Sequence, residues 1–303
     1  MKTPWGDIAV SDAHVHFLSS GFFDALERQK GTPIHEELFG SGIEVPAPDH
    51  AALANRWVKE LDRHGIESSV LIASVPGDED SVLKAISSFP QRFFGYFMLD
   101  PTQPDAVSRA RKALDGGMSG ICLFPSMHRY AMYDDRVAAV IEAAERHGIL
   151  IFVHCGVLTV GIRQRLGLPS RFDMRFSNPL DLHALALRFS KIPFVIPHFG
   201  AGYFREALML ADLCPNVYFD TSSTNSWVKY QTPVMDIRDA FRRSIDLLGA
   251  HRLMFGTDSS FFPRGWQRPI FDDQVNLLFD LGVGVDDAAL ILGGNLRRVL
   301  GTH

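Results

Sequence analysis

Short apolar runs alternate with longer amphipathic stretches along the whole chain. Apolar residues that repeat every three to four positions indicate helices, and short β-branched or aromatic runs indicate strands. The apolar runs predict eight strands, at residues 8–16, 67–75, 92–99, 118–124, 149–154, 194–198, 217–220 and 253–258. The amphipathic stretches predict helices at residues 51–64, 80–89, 105–115, 134–147, 180–189, 204–212, 236–248, 267–281 and 286–300.

Strands that each lead into helical sequence predict an α/β fold, namely a (β/α)8 TIM barrel formed as a single domain by residues 1–303. The alternative is a doubly wound open sheet. That fold usually has a glycine-rich phosphate-binding turn after its first strand, whereas this first strand ends in histidines. Two long loops are predicted, residues 17–50 after strand one and residues 157–179 after strand five. In a barrel both would lie on the catalytic face.

The composition narrows the class of protein. The chain has 303 residues, of which 46% are hydrophobic and 21% charged, and its formal net charge of −5 gives no basic surface for nucleic acid. No apolar run reaches the length of a transmembrane helix, and the N-terminus lacks the apolar segment of a signal peptide. Three cysteines without zinc-knuckle spacing favour a reducing, cytoplasmic location over a disulfide framework.

Histidines collect at the C-terminal ends of the predicted strands. His14 and His16 end strand one, His154 ends strand five, His198 ends strand six, and Asp258 ends strand eight. Alternate residues of a strand share a face, so His14 and His16 point the same way. Catalytic groups of a (β/α)8 barrel lie at this end, and imidazole and carboxylate groups bind metals. Since the chain has only 12 histidines, the clustering predicts a metal site rather than solvated histidines.

Four motifs make the sequence similar to the amidohydrolase superfamily, specifically its amidohydrolase-2 branch. That branch includes aminocarboxymuconate-semialdehyde decarboxylase-like enzymes and related hydrolases. The resemblance covers nearly the whole chain. It rests on Asp12-Ala13-His14-Val15-His16, Val153-His154-Cys155-Gly156, Pro197-His198-Phe199-Gly200 and Phe255-Gly256-Thr257-Asp258-Ser259.

The resemblance implies a set of metal ligands and a catalytic group. Its implied ligands for one divalent cation are His14, His16, His154 and Asp258. Zn²⁺ suits such a set best, and Mn²⁺ or Fe²⁺ could bind the same residues. The resemblance also implies that His198 is an acid, base or electrophilic group, and that Asp258 is catalytic because it takes a proton from the activated water.

Strand four bears on the number of metal ions. Binuclear members of the superfamily carry a carboxylated lysine or a glutamate at the end of this strand. Here it reads Gly120-Ile121-Cys122-Leu123-Phe124-Pro125, with neither residue, which implies a mononuclear site. Cys122 could ligate zinc in principle, but a buried packing role is preferred. Strand alternation predicts that Cys155 faces away from the barrel interior.

Arginines crowd the two regions predicted to overhang the pocket. They are Arg163, Arg165, Arg171, Arg175, Arg264 and Arg268. A guanidinium group matches a carboxylate in two hydrogen bonds, which predicts that at least one arginine holds an acidic small-molecule substrate. Any single one is more simply a surface residue. Arg264, which follows Asp258 closely, is the best candidate, and Arg163 is a second. His128 either contacts substrate or forms a local hydrogen bond.

Together these features predict a metal-dependent hydrolase. A metal-activated water would attack the carbonyl carbon of a small amide, lactone or ester that also bears a carboxylate. The close alternative is non-oxidative decarboxylation of an unsaturated or aromatic acid by the same residues. A further alternative, a non-catalytic metal-binding barrel, is disfavoured because storage needs no acid–base group such as His198. A homodimer is expected by analogy only.

Overall fold

The computed structural model describes residues 1–170, 172–222 and 225–302. Within these ranges one sheet contains eight parallel strands, each paired with the next along the chain. The strands are β1 (Ser11–Phe17), β2 (Ser68–Ala73), β3 (Phe93–Leu99), β4 (Gly120–Leu123), β5 (Leu150–Val153), β6 (Phe194–Ile196), β7 (Val217–Asp220) and β8 (Leu253–Met254). A short antiparallel hairpin, Lys2–Thr3 with Gly6–Asp7, precedes them.

Single contacts rather than a ladder join β1 to the segment that follows β8. Val15 forms an isolated parallel bridge with Ser259. The backbone N–H of Ala13 donates to the carbonyl of Phe255 at 2.9 Å, and that of His16 donates to the carbonyl of Ser259 at 2.7 Å. The predicted TIM barrel is confirmed, as a nearly closed barrel with helices around it.

Helices cover the outside of the barrel and fill its connections. They are α1 (Ser20–Lys30), α2 (His35–Gly40), α3 (His50–His64), α4 (Glu79–Ser88), α5 (Ala106–Asp115), α6 (Pro125–His128), α7 (Asp135–His147), α8 (Gly161–Arg165), α9 (His183–Arg188), α10 (Phe204–Leu213), α11 (Ile237–Leu248), α12 (Arg268–Asp280), α13 (Val285–Ala289) and α14 (Asn295–Leu300). Shorter 3-10 turns occur at Met174–Phe176, Pro179–Leu182, Pro197–Gly200, Asn225–Tyr230 and Ala250–Arg252, and a π turn at Leu290–Gly294. In the described part of the chain, no helix is both long and apolar enough to cross a membrane.

Two predicted helices are interrupted. The helix expected at residues 180–189 divides into a 3-10 turn and α9. The helix expected at residues 286–300 divides into α13, the π turn and α14, because the extended backbone of Gly293 (φ 168°) breaks the helical path. Most other predicted bounds are correct to within one or two residues.

Strands six and eight end earlier than predicted. β6 stops before Pro197, which has no N–H to donate to a ladder, and His198 and Phe199 then adopt left-handed backbone with φ of 54° and 52°. β8 ends at Met254 rather than at Asp258, whose own φ is 59°. Strand one is also shorter at its start, where residues 8–10 precede the first ladder position. The candidate side chains of His154, His198 and Asp258 therefore lie beyond the strand ends, whereas His14 and His16 lie within β1.

Apolar side chains form two layers, one inside the barrel and one between the sheet and its helices. Cys122 belongs to the interior layer with Tyr96, Met98 and Phe152. Cys155 belongs to the outer layer, which confirms that it faces away from the interior. All three cysteines are buried free thiols.

The two long connections, predicted as loops, contain helices. Ser19 caps α1 by accepting a hydrogen bond from the N–H of Phe22, and Gly31 ends it with left-handed backbone (φ 76°). Connection one contains α1 and α2, and connection five contains α8. Apolar residues of all three helices pack in one cluster, which includes Phe22, Phe23, Leu26, Leu38, Ile162 and Leu166. We call α1, α2 and α8 the cap, and because β1 and β5 are four strands apart it crosses the mouth of the barrel.

Candidate active site

Three predicted ligands converge where β1 and β8 end. Nε2 of His14 lies 3.2 Å from Nε2 of His16. Oδ1 of Asp258 lies 3.2 Å from Nε2 of His16 and 3.7 Å from Nε2 of His14. One ligand atom from each of these residues lies within 4.8 Å of the other two. The side chains of His16 and Asp258 are 24% exposed and that of His14 is 2% exposed, so a substrate would approach from the side of His16 and Asp258.

Neighbouring side chains fix the tautomers of both histidines. Oγ of Ser74 donates to the carbonyl of Ile72 at 3.0 Å, so this oxygen accepts from Nδ1 of His16 at 2.7 Å. Oδ2 of Asp220 accepts from Nδ1 of His14 at 2.6 Å. Each imidazole therefore donates from Nδ1 and directs Nε2 toward the other ring.

This arrangement fits a divalent cation. The Nε2 atoms of His14 and His16 and a carboxylate oxygen of Asp258 face one another, and acceptors placed in this way repel unless a proton or a cation lies among them. Burial lowers the pKa of His14, but Asp220, Asp258 and Asp12 outweigh it and raise that pKa to about 9. The surrounding carboxylates thus favour a positive charge at this point. A carboxylate on the outer nitrogen of a ligating histidine is also common in metal sites.

His154 lies close to this group but outside the 4.8 Å limit. It is 5% exposed and stacks on Phe124, with ring centroids 5.4 Å apart. Its Nδ1 atom is buried without a hydrogen-bond partner. Burial, followed by the nearby His198 and His14, lowers the pKa of His154 well below its usual value, which keeps the imidazole neutral. A neutral imidazole with an unpartnered nitrogen is suited to act as a further metal ligand.

His198 lies beside both sets of histidines. Its ring centroid is 5.3 Å from that of His14 and 5.4 Å from that of His154. Nδ1 of His198 lies 3.2 Å from the carbonyl oxygen of Ser222 and 3.0 Å from its Oγ. Burial lowers the pKa of His198, so the ring is neutral near pH 7 and able to accept a proton.

A left-handed turn presents His198 to the site. Ala201 continues that turn with φ of 44°, and the N–H of Val157 donates to its carbonyl at 2.8 Å. A Cβ atom at Gly156 would lie only 2.3 Å from the carbonyl oxygens of Gly200 and Ala201. Glycine at position 156 therefore allows the segment after β5 to pack directly against this turn.

The sequence interpretation missed the polar residues that orient the ligands. Asp220, Ser74 and Ser222 were not predicted, although each contacts a site histidine. A signal existed for Asp220, since it ends predicted strand seven as His154 ends strand five. Ser74 and Ser222 gave no signal, because serine is common after strands and only the folded contacts reveal its role.

The predicted substrate residues lie in different surroundings. The guanidinium of Arg264 lies over the ring of Phe261 at 4.4 Å and donates to Oγ of Ser260 at 2.6 Å. Burial lowers the pKa of Arg264, and the charge of Asp258 opposes this, so the arginine lies within electrostatic range of the candidate ligand. His128 ends α6 and stacks near Tyr130, with ring centroids 6.5 Å apart, and its Nδ1 is buried without a partner.

Other arginines are engaged elsewhere. Arg163 donates to Oε1 of Gln29 and to the carbonyl of Pro169, which ties α8 to α1 inside the cap. Arg165 donates to the carbonyl of Ser41 at 2.8 Å. Ion pairs on the surface engage two more, Arg175 with Asp173 and Arg268 with Asp272. The remaining candidate, Arg171, lies outside the described residues.

Comparison with known proteins adds a family match. The family model described as "Amidohydrolase" matches residues 11–302. The curated protein fluG of Emericella nidulans is 35% identical over 91 residues, which are 29% of this chain and 10% of that protein. The match thus spans about a tenth of the length of this relative.

Solved structures share the fold at low sequence identity. The 5-carboxyvanillate decarboxylase of Sphingomonas paucimobilis has a TM-score of 0.67 and 16% identity, covering 98% of this chain and 100% of that one. A putative 2-pyrone-4,6-dicarboxylic acid hydrolase of Pseudomonas putida has a TM-score of 0.60 and 18% identity, with coverage of 97% and 98%. A 5-carboxyvanillate decarboxylase of Novosphingobium aromaticivorans, solved with bound manganese, has a TM-score of 0.63 and 14% identity, with coverage of 97% for both chains.

Proposed function

This chain belongs to the amidohydrolase family, and we propose that it is a metal-dependent hydrolase of a small carbonyl substrate that bears a carboxylate. The observation that carries the proposal is the convergence of His14, His16 and Asp258 through lone-pair atoms, with the neutral His198 beside them. The alternative of a non-catalytic metal-binding barrel gives no reason for a buried, neutral histidine next to the ligands.

The proposed cation would be held by His14, His16 and Asp258, with His154 as the fourth ligand. Two or three imidazoles with one carboxylate suit Zn²⁺, and Mn²⁺ is compatible with the same donors. When bound, such a cation polarises a carbonyl group and lowers the pKa of a water ligand to about 7. One cation is proposed, since β4 supplies no lysine or carboxylate at its end.

The protein's own groups would manage protons and orientation. His198 is neutral and buried, and its Nδ1 is engaged by Ser222, which leaves Nε2 to accept a proton during attack and return it to the leaving group. Asp258 would hold the attacking water by accepting its hydrogen bond. The guanidinium of Arg264 would bind the carboxylate of the substrate, because Arg264 follows Asp258 in the same connection and a guanidinium group matches a carboxylate in two hydrogen bonds.

Decarboxylation is the second candidate. Its support is the position of Arg264, since a guanidinium near Asp258 would hold a substrate carboxylate close to the ligand residues. A carboxylate that is gripped there for hydrolysis of another bond could equally be the group that leaves as CO2. The proposed reactions therefore share a site and differ in which bond breaks.

One set of measurements tests both reactions. The purified protein is first analysed for metal content and then offered small lactones, esters and amides that bear carboxylates, together with aromatic acids. Hydrolysis predicts incorporation of one oxygen from ¹⁸O-labelled water, and decarboxylation predicts CO2 release without it. Protein that neither carries nor responds to added Zn²⁺ or Mn²⁺ would contradict the proposal.

A matched pair of variants tests the role of His198. His198→Gln should retain the cation and lose at least about 100-fold in kcat, as expected for removal of a general acid or base. The control is His147→Gln, since His147 pairs with Asp115 at the end of α7 and leads into β5 from the opposite face of the barrel. Equal kcat values for the two variants would contradict the proposed role.

We also propose a reducing, cytoplasmic location. The support is that Cys122, Cys155 and Cys214 are all buried free thiols.

A further inference from the structure

The ligands of the proposed cation lie on two sides of the weakest seam in the barrel. His14 and His16 belong to β1, whereas Asp258 follows β8, whose ladder with β7 contains only two residue pairs. Between β1 and the segment after β8 the backbone makes separate contacts, among them the N–H of Asp258 donating to the carbonyl of His14 at 3.0 Å. The distance between the His14–His16 pair and Asp258 therefore depends on the contacts that hold residues 255–259 against β1.

Asp12 is the side chain that crosses this seam. It is fully buried, and its Oδ1 accepts from the N–H of His14 at 2.9 Å and from the N–H of Thr257 at 3.2 Å. Its Oδ2 accepts from Oγ1 of Thr257 at 2.5 Å and from Nε1 of Trp266 at 2.7 Å. The carboxylate of Asp12 thus accepts hydrogen bonds from four donors, which lie on both sides of the seam.

The hydrogen bonds continue away from Asp12 in a single direction. Because Thr257 donates its hydroxyl proton to Asp12, its Oγ1 accepts from Oγ of Ser259 at 2.6 Å. Oγ of Ser259 in turn accepts from the N–H of Gln267 at 3.0 Å. The side-chain amide of Gln267 donates to the carbonyls of Thr257 and Asp258 at 3.1 and 3.2 Å. The residues on either side of Asp258 are therefore both fixed through this network.

We propose that Asp12 is a positioning residue that sets the separation between the His14–His16 pair and Asp258. It touches neither substrate nor cation, and it acts through the backbone of His14 and through Thr257. The proposal rests on the proposed function in that it assumes these three residues ligate a cation. A carboxylate is required at position 12, because each of its oxygens accepts two hydrogen bonds. An N–H group in place of either oxygen would face donors alone.

The decisive variant is Asp12→Asn. Asparagine has almost the same shape as aspartate. In either orientation, however, its amide nitrogen is a donor that would replace an oxygen accepting from two donors. The matched control is Asp78→Asn, another buried carboxylate, which follows β2 and whose Oδ2 accepts from the hydroxyls of Ser19 and Ser81 but from no residue of the segment after β8. Both substitutions remove a buried charge, but only Asp12→Asn lies between the His14–His16 pair and Asp258.

Cation affinity is the first measurement, made by competition with a chromogenic chelator for Zn²⁺ and for Mn²⁺. We expect Asp12→Asn to weaken binding by 10- to 100-fold, as is typical when a residue that orients ligands is lost. Asp78→Asn should stay within about threefold of the wild type. Trp266→Phe removes one of the four donors to Asp12, and its cation affinity should lie between those of Asp12→Asn and Asp78→Asn. Wild-type affinity in Asp12→Asn, with a melting temperature lowered as in Asp78→Asn, would overturn the proposal.

Amide hydrogen exchange of the metal-free protein is the second measurement, and it is independent of the proposed function. Asp12→Asn should speed exchange at the N–H groups of His16 and Asp258, which bridge the seam, by at least tenfold. Exchange at Leu71, inside the β2 ladder, should not change. If the wild type binds no cation, the proposed function fails, and the exchange result alone decides whether Asp12 holds the seam.

Discussion

A Cβ atom at position 256 would lie 2.7 Å from Oδ1 of Asp220, a distance that real Cβ contacts do not show. It would also lie 2.9 Å from Cβ of His14 and 3.1 Å from Cβ of Ser222. Gly256→Ala must therefore displace the side chains that orient the candidate ligands. We expect a loss of about 1–3 kcal/mol in unfolding free energy, measured by urea denaturation, and weaker cation binding.

Gly40→Ala is the control for this change. Gly40 lies in α2, and a Cβ atom there would meet nothing within 4 Å. This substitution should be neutral or stabilising by up to about 1 kcal/mol, because alanine favours a helix over glycine. Equal stability of the two variants would show that the space around Gly256 is not limiting.

The three cysteine thiols should be unreactive in the folded protein. All three are buried, and burial raises the pKa of Cys122, Cys155 and Cys214 above the usual value. Since the thiolate is the reactive form, Ellman's reagent should label none of them in native buffer and all of them in guanidinium chloride. Rapid labelling of Cys122 in native buffer would contradict its buried packing role.

Asp134 should stabilise α7 in a pH-dependent way. Its side chain caps the helix by accepting from the N–H of Arg136 at 2.9 Å, and hydrogen bonds from Arg136 lower its pKa to about 2. Asp134→Ala should cost about 1 kcal/mol near pH 7. The carboxylate has a lower pKa in the folded state than in the unfolded state, so its contribution is complete above about pH 4 and is lost as the pH falls toward 2.

Thermal unfolding of the wild type and two variants checks this prediction at several pH values. Asp134→Asn keeps an oxygen acceptor for the cap and should lose less stability than Asp134→Ala at neutral pH. The difference between the wild type and Asp134→Ala should shrink at pH 2 to 3. A difference that grows on acidification would have the wrong sign for a lowered pKa.

Arg163 should hold the cap together rather than stabilise the barrel. Its guanidinium joins α8 to Gln29 of α1 and to the carbonyl of Pro169. We expect Arg163→Ala to speed hydrogen exchange in α1 and α8, while the exchange of β3 and β4 amides stays unchanged. Arg175→Ala is the control, because that side chain is 83% exposed and pairs only locally with Asp173. Faster exchange in the barrel strands as well would contradict a role confined to the cap.

The juxtaposition of the candidate ligands His14 and His16 was predictable because it depends on local sequence alone. Alternation along one strand is enough to place His14 and His16 on the same face, and the barrel rule then locates His154, His198 and Asp258 at the same end. The strand ends were less accurate, since Pro197 and the left-handed backbone of Asp258 override the apolar pattern. Backbone geometry of that kind is set by tertiary packing, such as the contact between Gly156 and the turn after β6.

The contacts that orient the ligands were not predictable in the same way. Asp12 and Trp266 are 254 residues apart, and Asp220 and His14 are 206 apart, so only the closed barrel brings them together. The helices of the cap did have local signals, since Ser19 and Gly31 are ordinary capping residues. The sequence predicts the two long connections correctly, and the structure adds the short helices that they contain.

The cap supplies none of the candidate ligands and none of the residues that orient them. Substitutions in α1, α2 and α8 can therefore change the mouth of the barrel without altering the candidate ligands. If this part of the chain were exchanged for the corresponding segments of another barrel, the proposed cation site would keep all of its residues, and a change in the range of substrates would be due to the cap.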